Sequence, residues 1–137
     1  MFRTVSVAGG DLRQLTIAKE LADDGYDVTI YGFNTDMIPK GIKNSADLRT
    51  ALNRDILILP VPVTFDNITI NMPFSDNSLS INELTENINP LSVVFGGRIT
   101  DDISKKLTVK GIKHFDYMKR DELAIRNAVP TVLTKKL

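Results

Sequence analysis

The chain contains no cysteine, no tryptophan and a single histidine among its 137 residues. Without cysteine there is no disulfide, no thiolate zinc site and no cysteine nucleophile. With His114 alone, a histidine-rich metal cluster is excluded too, so no metal site is expected. Neither sign of charge is in surplus: 17 basic and 17 acidic residues cancel, and no long basic run appears. Nucleic acid as a main partner is therefore disfavoured. Long hydrophobic runs are missing as well. The longest, residues 56–63, includes two prolines and is far too short to span a bilayer. Met1-Phe2-Arg3-Thr4 leads straight into a strand pattern, with no charged segment before a long apolar one, so no secretory signal is expected. The expectation is a soluble, cytoplasmic protein with no membrane partner, of a size suited to one domain.

What is present is organised around Val5-Ser-Val-Ala-Gly-Gly-Asp-Leu-Arg-Gln-Leu15, an apolar run that breaks on two glycines and opens a helical pattern. In open α/β sheets such a turn faces the ligand crevice, and free N–H groups at the following helix start favour anions. A dinucleotide fingerprint, however, needs glycine at relative positions one, three and six. Counting from Gly9, those places hold Asp11 and Gln14; counting from Gly10, they hold Leu12 and Leu15. What remains is Asp11 as an N-cap and Arg13 in the first helical turn, where a cation opposes the helix dipole unless an anion sits beside it. Two readings stay open. Either Asp11 caps the helix and Arg13 pairs on the surface, or Arg13 and the turn's N–H groups hold a small anion or carboxylate.

The rest of the chain alternates strands and helices. A strand over 4–8 precedes a helix from Leu12 to Asp24 with Leu12, Leu15, Ala18, Leu21 and Ala22 on one face; Gly25 stops it, and 26–31 alternates as a strand. Ile42 falls in a short strand, Ser45 caps a helix to about Asn53, and 55–59 is a buried strand ending in Pro60-Val61-Pro62. Residues 65–80 read as a hairpin or excursion outside the alternation. A helix over 82–89, a strand over 91–95, the second glycine turn Gly96-Gly97-Arg98, a Thr100-capped helix to Lys110 and a strand over 112–115 follow. His114 lies in that last strand with no local partner and reads as structural. The pattern is helical over 119–128, breaks at Pro130, and restarts at Thr131. These elements predict a three-layer, doubly wound α/β fold with a mainly parallel sheet of about five strands, flavodoxin-like or Rossmann-like. The turns after Ala8, Leu59 and Phe95 would converge on one crevice.

Three blocks carry a family resemblance: Gly9-Gly-Asp-Leu-Arg-Gln-Leu15, Leu57-Ile-Leu-Pro-Val-Pro62, and Asp121-Glu-Leu-Ala-Ile-Arg-Asn-Ala-Val-Pro-Thr131. In this order and spacing the chain resembles the N-terminal domain of the dipicolinate synthase A-subunit. The resemblance implies an oxidoreductase, located in the mother cell of a sporulating bacterium, that converts a dihydrodipicolinate-type precursor to dipicolinate with a nicotinamide cofactor, NADP. It also implies a second, flavoprotein-like partner, the dipicolinate synthase B-subunit, and a complete chain about twice this length. On that reading residues 1–130 are a substrate-side domain, 131–137 begin an interdomain helix, and the NADP-binding domain follows. The fragment itself lacks the fingerprint, so it is expected to bind no cofactor and to be inactive alone.

A small dicarboxylate substrate calls for guanidinium and backbone donors, because a bidentate Arg–carboxylate pair fixes geometry as well as charge. The candidate substrate-binding residues are Gly9, Gly10, Asp11, Arg13, Gln14, Pro60, Val61, Gly96, Gly97, Arg98, Asn127, Pro130 and Thr131, with Arg13 foremost. No general acid or base is identified, and homo-oligomerisation is left open. The competing reading is a stand-alone ligand-binding or protein-interaction module without catalysis; a Rossmann fingerprint encoded after Leu137 separates the two. A response-regulator-like phosphoacceptor is disfavoured, because the first strand ends in glycines and 57–59 ends without an aspartate.

Overall fold

A computed structural model of the chain describes residues 4–45 and 47–118. Among them the order is β1 (Thr4–Ala8), α1 (Leu12–Asp23), β2 (Asp27–Tyr31), a 3-10 turn (Thr35–Met37), β3 (Lys43–Asn44), α2 (Leu48–Leu52), β4 (Ile56–Ile58), α3 (Ile81–Asn87), β5 (Val93–Gly96), α4 (Asp101–Val109) and β6 (Lys113–Asp116). The strands form one parallel six-stranded sheet in the order β3-β2-β1-β4-β5-β6. That order is Rossmann-like and not flavodoxin-like. It holds six strands where the sequence suggested about five; the short strand expected at Ile42 is β3, which pairs with β2 through Thr29↔Lys43 and Ile30↔Asn44. The expected helix over 119–128, the helix start at Thr131 and the division at residue 130 lie outside the described residues.

Handedness explains the layers. The chain moves from β1 to β2 in one direction and from β3 to β4, β5 and β6 in the other, so right-handed crossovers put α1 on one face and α2, α3 and α4 on the opposite face. The side chains agree. Val5, Val7, Val28, Ile30, Ile56, Ile58, Val93 and Phe95 pack with Leu15, Ala18 and Leu21 of α1. Alternate positions, among them Ala8, Leu57, Leu59 and Val94, pack with Leu52, Leu84, Ile103 and Leu107 from the other three helices. Burial on both faces is why the central strands read as unbroken apolar runs. Each fully buried Leu or Ile contributes about 1.5–3 kcal/mol of transfer free energy, so the two clusters hold the frame without covalent staples.

Local signals set most element boundaries. Asp11 caps α1 by accepting from the Arg13 amide, and Thr100 caps α4 by accepting from the Ile103 amide. Ser45 does not cap α2, although its position suggests it. Its amide extends the sheet by donating to Ile30 O, its hydroxyl donates to Asp47 O, and Asp47 is the N-cap residue. Ser80 is a cap that the sequence reading misses. Its hydroxyl accepts from the Glu83 amide at 3.0 Å while the Glu83 carboxylate accepts from the Ser80 amide at 3.4 Å, a reciprocal capping box. No helix among the described residues is long and apolar enough to cross a membrane.

The capping box gives a direct test of how α3 is started. Ser80→Ala should lower the unfolding free energy by about 0.5–2 kcal/mol in urea titrations, whereas Ser80→Asp should stay close to wild type. Equal loss in both variants would show that the hydroxyl's cap does not hold the helix start.

Candidate functional site

The sheet's topological switch point lies between β1 and β4, whose following helices leave on opposite faces. Crevices at the carboxyl ends of such strands are where open α/β sheets bind ligands. Three turns meet there. The Gln14 side chain, almost fully buried, donates to Leu59 O at 2.8 Å, and Arg13 Nη2 reaches Val61 O at 3.4 Å, which ties the first turn to the second. The Gly97 amide donates to Pro60 O at 3.3 Å, and the Val63 amide to Gly97 O at 2.9 Å, which ties the second to the third. The Val61–Pro62 peptide in the middle turn is cis.

Residues 63–80 form a strap across these strand ends. The excursion anticipated from sequence closes on itself through Ile70 N–H to Leu79 O and Ile81 N–H to Ile68 O, around an antiparallel bridge between Thr69 and Ser80. Its outer limb then crosses the carboxyl ends of the sheet: the Asn71 amide donates to Val63 O, Asn71 O accepts from the Gly10 amide at 2.9 Å, and Phe74 O accepts from the Asn34 amide. Phe74 stacks on Phe33 with ring centroids 6.4 Å apart. The approach is close enough to require glycine. A Cβ on Gly9, whose φ is +70°, would stand 2.7 Å from Asn71 O; one on Gly10, at φ +92°, would stand 2.3 Å from Gln14 Cγ.

The Arg13 guanidinium remains outside this strap. Its Nε and Nη2 donate to the Asp11 carboxylate at 3.0–3.2 Å, and the pair is open to water, with side-chain exposures of 71% and 45%. Hydrogen bonds from the Arg13 side chain hold the Asp11 carboxyl below its ordinary range. Beneath it sits a group that sequence reading does not single out. Tyr117, just past β6, donates its hydroxyl to the same Leu59 O at 3.0 Å, so that carbonyl accepts from two side chains. Burial pushes the Tyr117 phenol up to about 12, against a hydrogen bond from Gln14 and the charge of Arg13, which lower it.

Of the residues expected at the site, Gly9, Gly10, Asp11, Arg13, Gln14, Pro60, Val61, Gly96 and Gly97 lie together at these turns, the last two through close packing on Val63 and Val61. Arg98 sits at φ +57° because Asp116 accepts from its amide at 3.2 Å and from the Ile99 amide at 2.9 Å; its side chain is exposed. Asn127, Pro130 and Thr131 lie outside the described residues. One expectation changes in detail: the Gly9 and Gly10 amides are not free for an anion, since they donate to Tyr31 O and Asn71 O. His114, read as structural with no local partner, is held on both ring nitrogens. Its Nε2 lies 2.8 Å from Ser104 Oγ, and its Nδ1 lies 2.9 Å from Ile112 O. No group of three metal-ligating side chains gathers among the described residues.

A dinucleotide does not fit the β1–α1 turn. Pyrophosphate binding there needs unpaired amides and a bare backbone, but Asn71 O takes the Gly10 amide, Gln14 packs over Gly10, and Met72 covers Gly9 and Gly32.

Comparison with known proteins gives concordant matches. The family model for the N-terminal domain of the dipicolinate synthase A-subunit matches residues 4–118. The chain is 29% identical over 136 residues to the dipicolinate synthase A-subunit of Bacillus subtilis (strain 168), covering 93% of this chain and 44% of that protein. The crystal structure of the dipicolinate synthase A chain from Bacillus subtilis superposes with a TM-score of 0.73 at 25% identity, over 96% of this chain and 45% of that one. An imine reductase from Myxococcus stipitatus, solved in complex with NAD+, is similar in fold, with a TM-score of 0.60 at 16% identity over 85% of this chain and 40% of that one. The chain thus spans less than half the length of each of these three proteins.

The Tyr117 geometry sets a pH dependence. A phenol raised in the folded state favours folding fully below the ordinary value of about 10 and loses that contribution as pH rises toward about 12. Denaturant titrations across this window should show wild type losing stability faster than Tyr117→Phe. Parallel pH profiles for the two proteins would remove the phenol from the Leu59 network.

Proposed function

Because the chain belongs to the family of dipicolinate synthase A-subunit N-terminal domains, we propose that it is the substrate-side domain of an enzyme that oxidises a dihydrodipicolinate-type precursor to dipicolinate during sporulation. The observation that carries this reading is Arg13. It is an exposed guanidinium at the switch point of a Rossmann-like sheet, on a turn whose Gly9 and Gly10 amides are already bonded within the chain. Such a site suits a carboxylate and not a nucleotide. A planar guanidinium takes a carboxylate in a bidentate pair, and the substrate class carries two of them.

In this reading the chain's work is binding and orientation. Arg13 takes one substrate carboxylate. The Pro60–Pro62 turn, tied to α1 through Gln14 and to the end of β6 through Tyr117, forms the wall beside it. Gly97 packs on Val61 so closely that the third turn closes the crevice behind that wall. The nicotinamide cofactor, NADP, belongs to a second domain beyond these residues, which supplies the hydride acceptor. The relatives' greater length supports that division. Asn127, Pro130 and Thr131 would join the site where the chain passes toward that domain, and the B-subunit is the partner of the whole enzyme in the mother-cell cytoplasm.

Two measurements test this assignment. In the full-length enzyme, Arg13→Ala should lower kcat/KM by roughly one to two orders of magnitude; unchanged steady-state kinetics would take Arg13 out of the site. Calorimetric titration of the 137-residue chain with NADPH should show no binding. A micromolar dissociation constant would instead make this the nucleotide domain.

A further inference from the structure

Asp11 does two things with one carboxylate. Oδ1 accepts from the Arg13 amide at 2.9 Å, which caps α1, and the two oxygens together take Nε and Nη2 of the same residue. The cap needs an acceptor but no charge, since Asn and Ser serve as well as Asp at such positions. The charge has a separate effect. It occupies one of the two bidentate edges of the guanidinium and brings the pair's net charge to zero at the mouth of the crevice.

We propose that Asp11 is a resident counter-ion of the carboxylate site, a specificity-determining residue that an incoming ligand carboxylate must displace or share Arg13 with. The inference rests on the reading of Arg13 as a carboxylate contact. Three features of the geometry favour exchange over a fixed structural bridge. The partners lie only two positions apart in sequence, both side chains are open to water, and on the other edge of Arg13 the sole bond among the described residues is the long one from Nη2 to Val61 O at 3.4 Å. Exposed ion pairs of this kind are held weakly and rearrange at little cost. Asp11 thereby raises the requirement on a ligand. One carboxylate only replaces what Arg13 already has, whereas a dicarboxylate, anchored by a second contact in the crevice, gains from the exchange. The ligand class is a small planar dicarboxylate.

The test uses the 137-residue chain, pyridine-2,6-dicarboxylate as probe, and amide NMR shifts to follow binding. Asp11→Asn and Asp11→Ser both keep a capping acceptor and remove the charge, so both should bind the probe about two- to fivefold more tightly than wild type, with the gain shrinking as salt is added. Arg13→Ala should bind at least tenfold more weakly. If Arg13→Ala weakens binding while the two Asp11 variants match wild type or bind less well, the counter-ion role is overturned and the Arg13 contact stands. If only Asp11→Asn tightens, its amide is bonding the probe directly and the role is likewise overturned. If Arg13→Ala binds as wild type does, or no variant binds, the carboxylate contact itself fails and takes the inference with it.

Discussion

The missing side chain at Gly9 and Gly10 is the constraint on which the crevice depends. It lets Asn71 O come within hydrogen-bond distance of the Gly10 amide while the Gly9 amide is held by Tyr31 O. A methyl group at either position would meet backbone or side-chain atoms at less than 3 Å, and both residues sit at positive φ. Remove that closeness and the strap over residues 63–80 loses its seat on β1. With it would go the anchoring of Phe74 to Phe33 and of Val63 to Gly97. One apolar face of the sheet would be opened as well, because Val63, Ile70 and Leu79 of the strap are buried in the cluster that covers it.

The same contact changes the chemistry available at the helix start. In a nucleotide-binding turn, free amides present a diffuse positive edge that suits pyrophosphate. Here Tyr31 O and Asn71 O have taken the Gly9 and Gly10 amides, and the exposed cation beside them is the Arg13 guanidinium. A backbone edge reads charge with little regard to shape, whereas a planar guanidinium reads the shape of a carboxylate. Within a Rossmann-like topology, the strap and the side chains of Gln14 and Met72 thus cover the turn where a pyrophosphate would otherwise approach the backbone.

Periodicity and turn residues made the alternating frame legible: the apolar runs around Val7, Ile58 and Val94 announced buried parallel strands, and Asp11 and Thr100 announced their helices. The convergence of the three turns followed from topology alone. What sequence could not reveal depends on partners remote along the chain. Nothing near Tyr117 says that its hydroxyl ends on Leu59 O, 58 residues away. The short strand expected at Ile42 lies one residue on, at Lys43–Asn44, because its register is set by pairing with β2. Ser45 looked like a cap because its local chemistry permits one, but its hydroxyl donates to Asp47 O and the helix starts after Asp47. A signal was present at Ser80, where Glu stands three residues on, as a capping box requires.

The strap is fastened on two sides. Its amides and carbonyls meet Gly10, Asn34, Gly97 and Ile81 and its Val63, Ile70 and Leu79 side chains are buried in the core, while Phe65 and Ile68 turn their side chains outward, Phe65 to 80% exposure. Descent with modification can therefore act on the strap's outer side chains without disturbing its path. Related chains could keep one crevice architecture yet diverge in what greets a neighbour at its rim, and low overall identity would then coexist with a preserved frame.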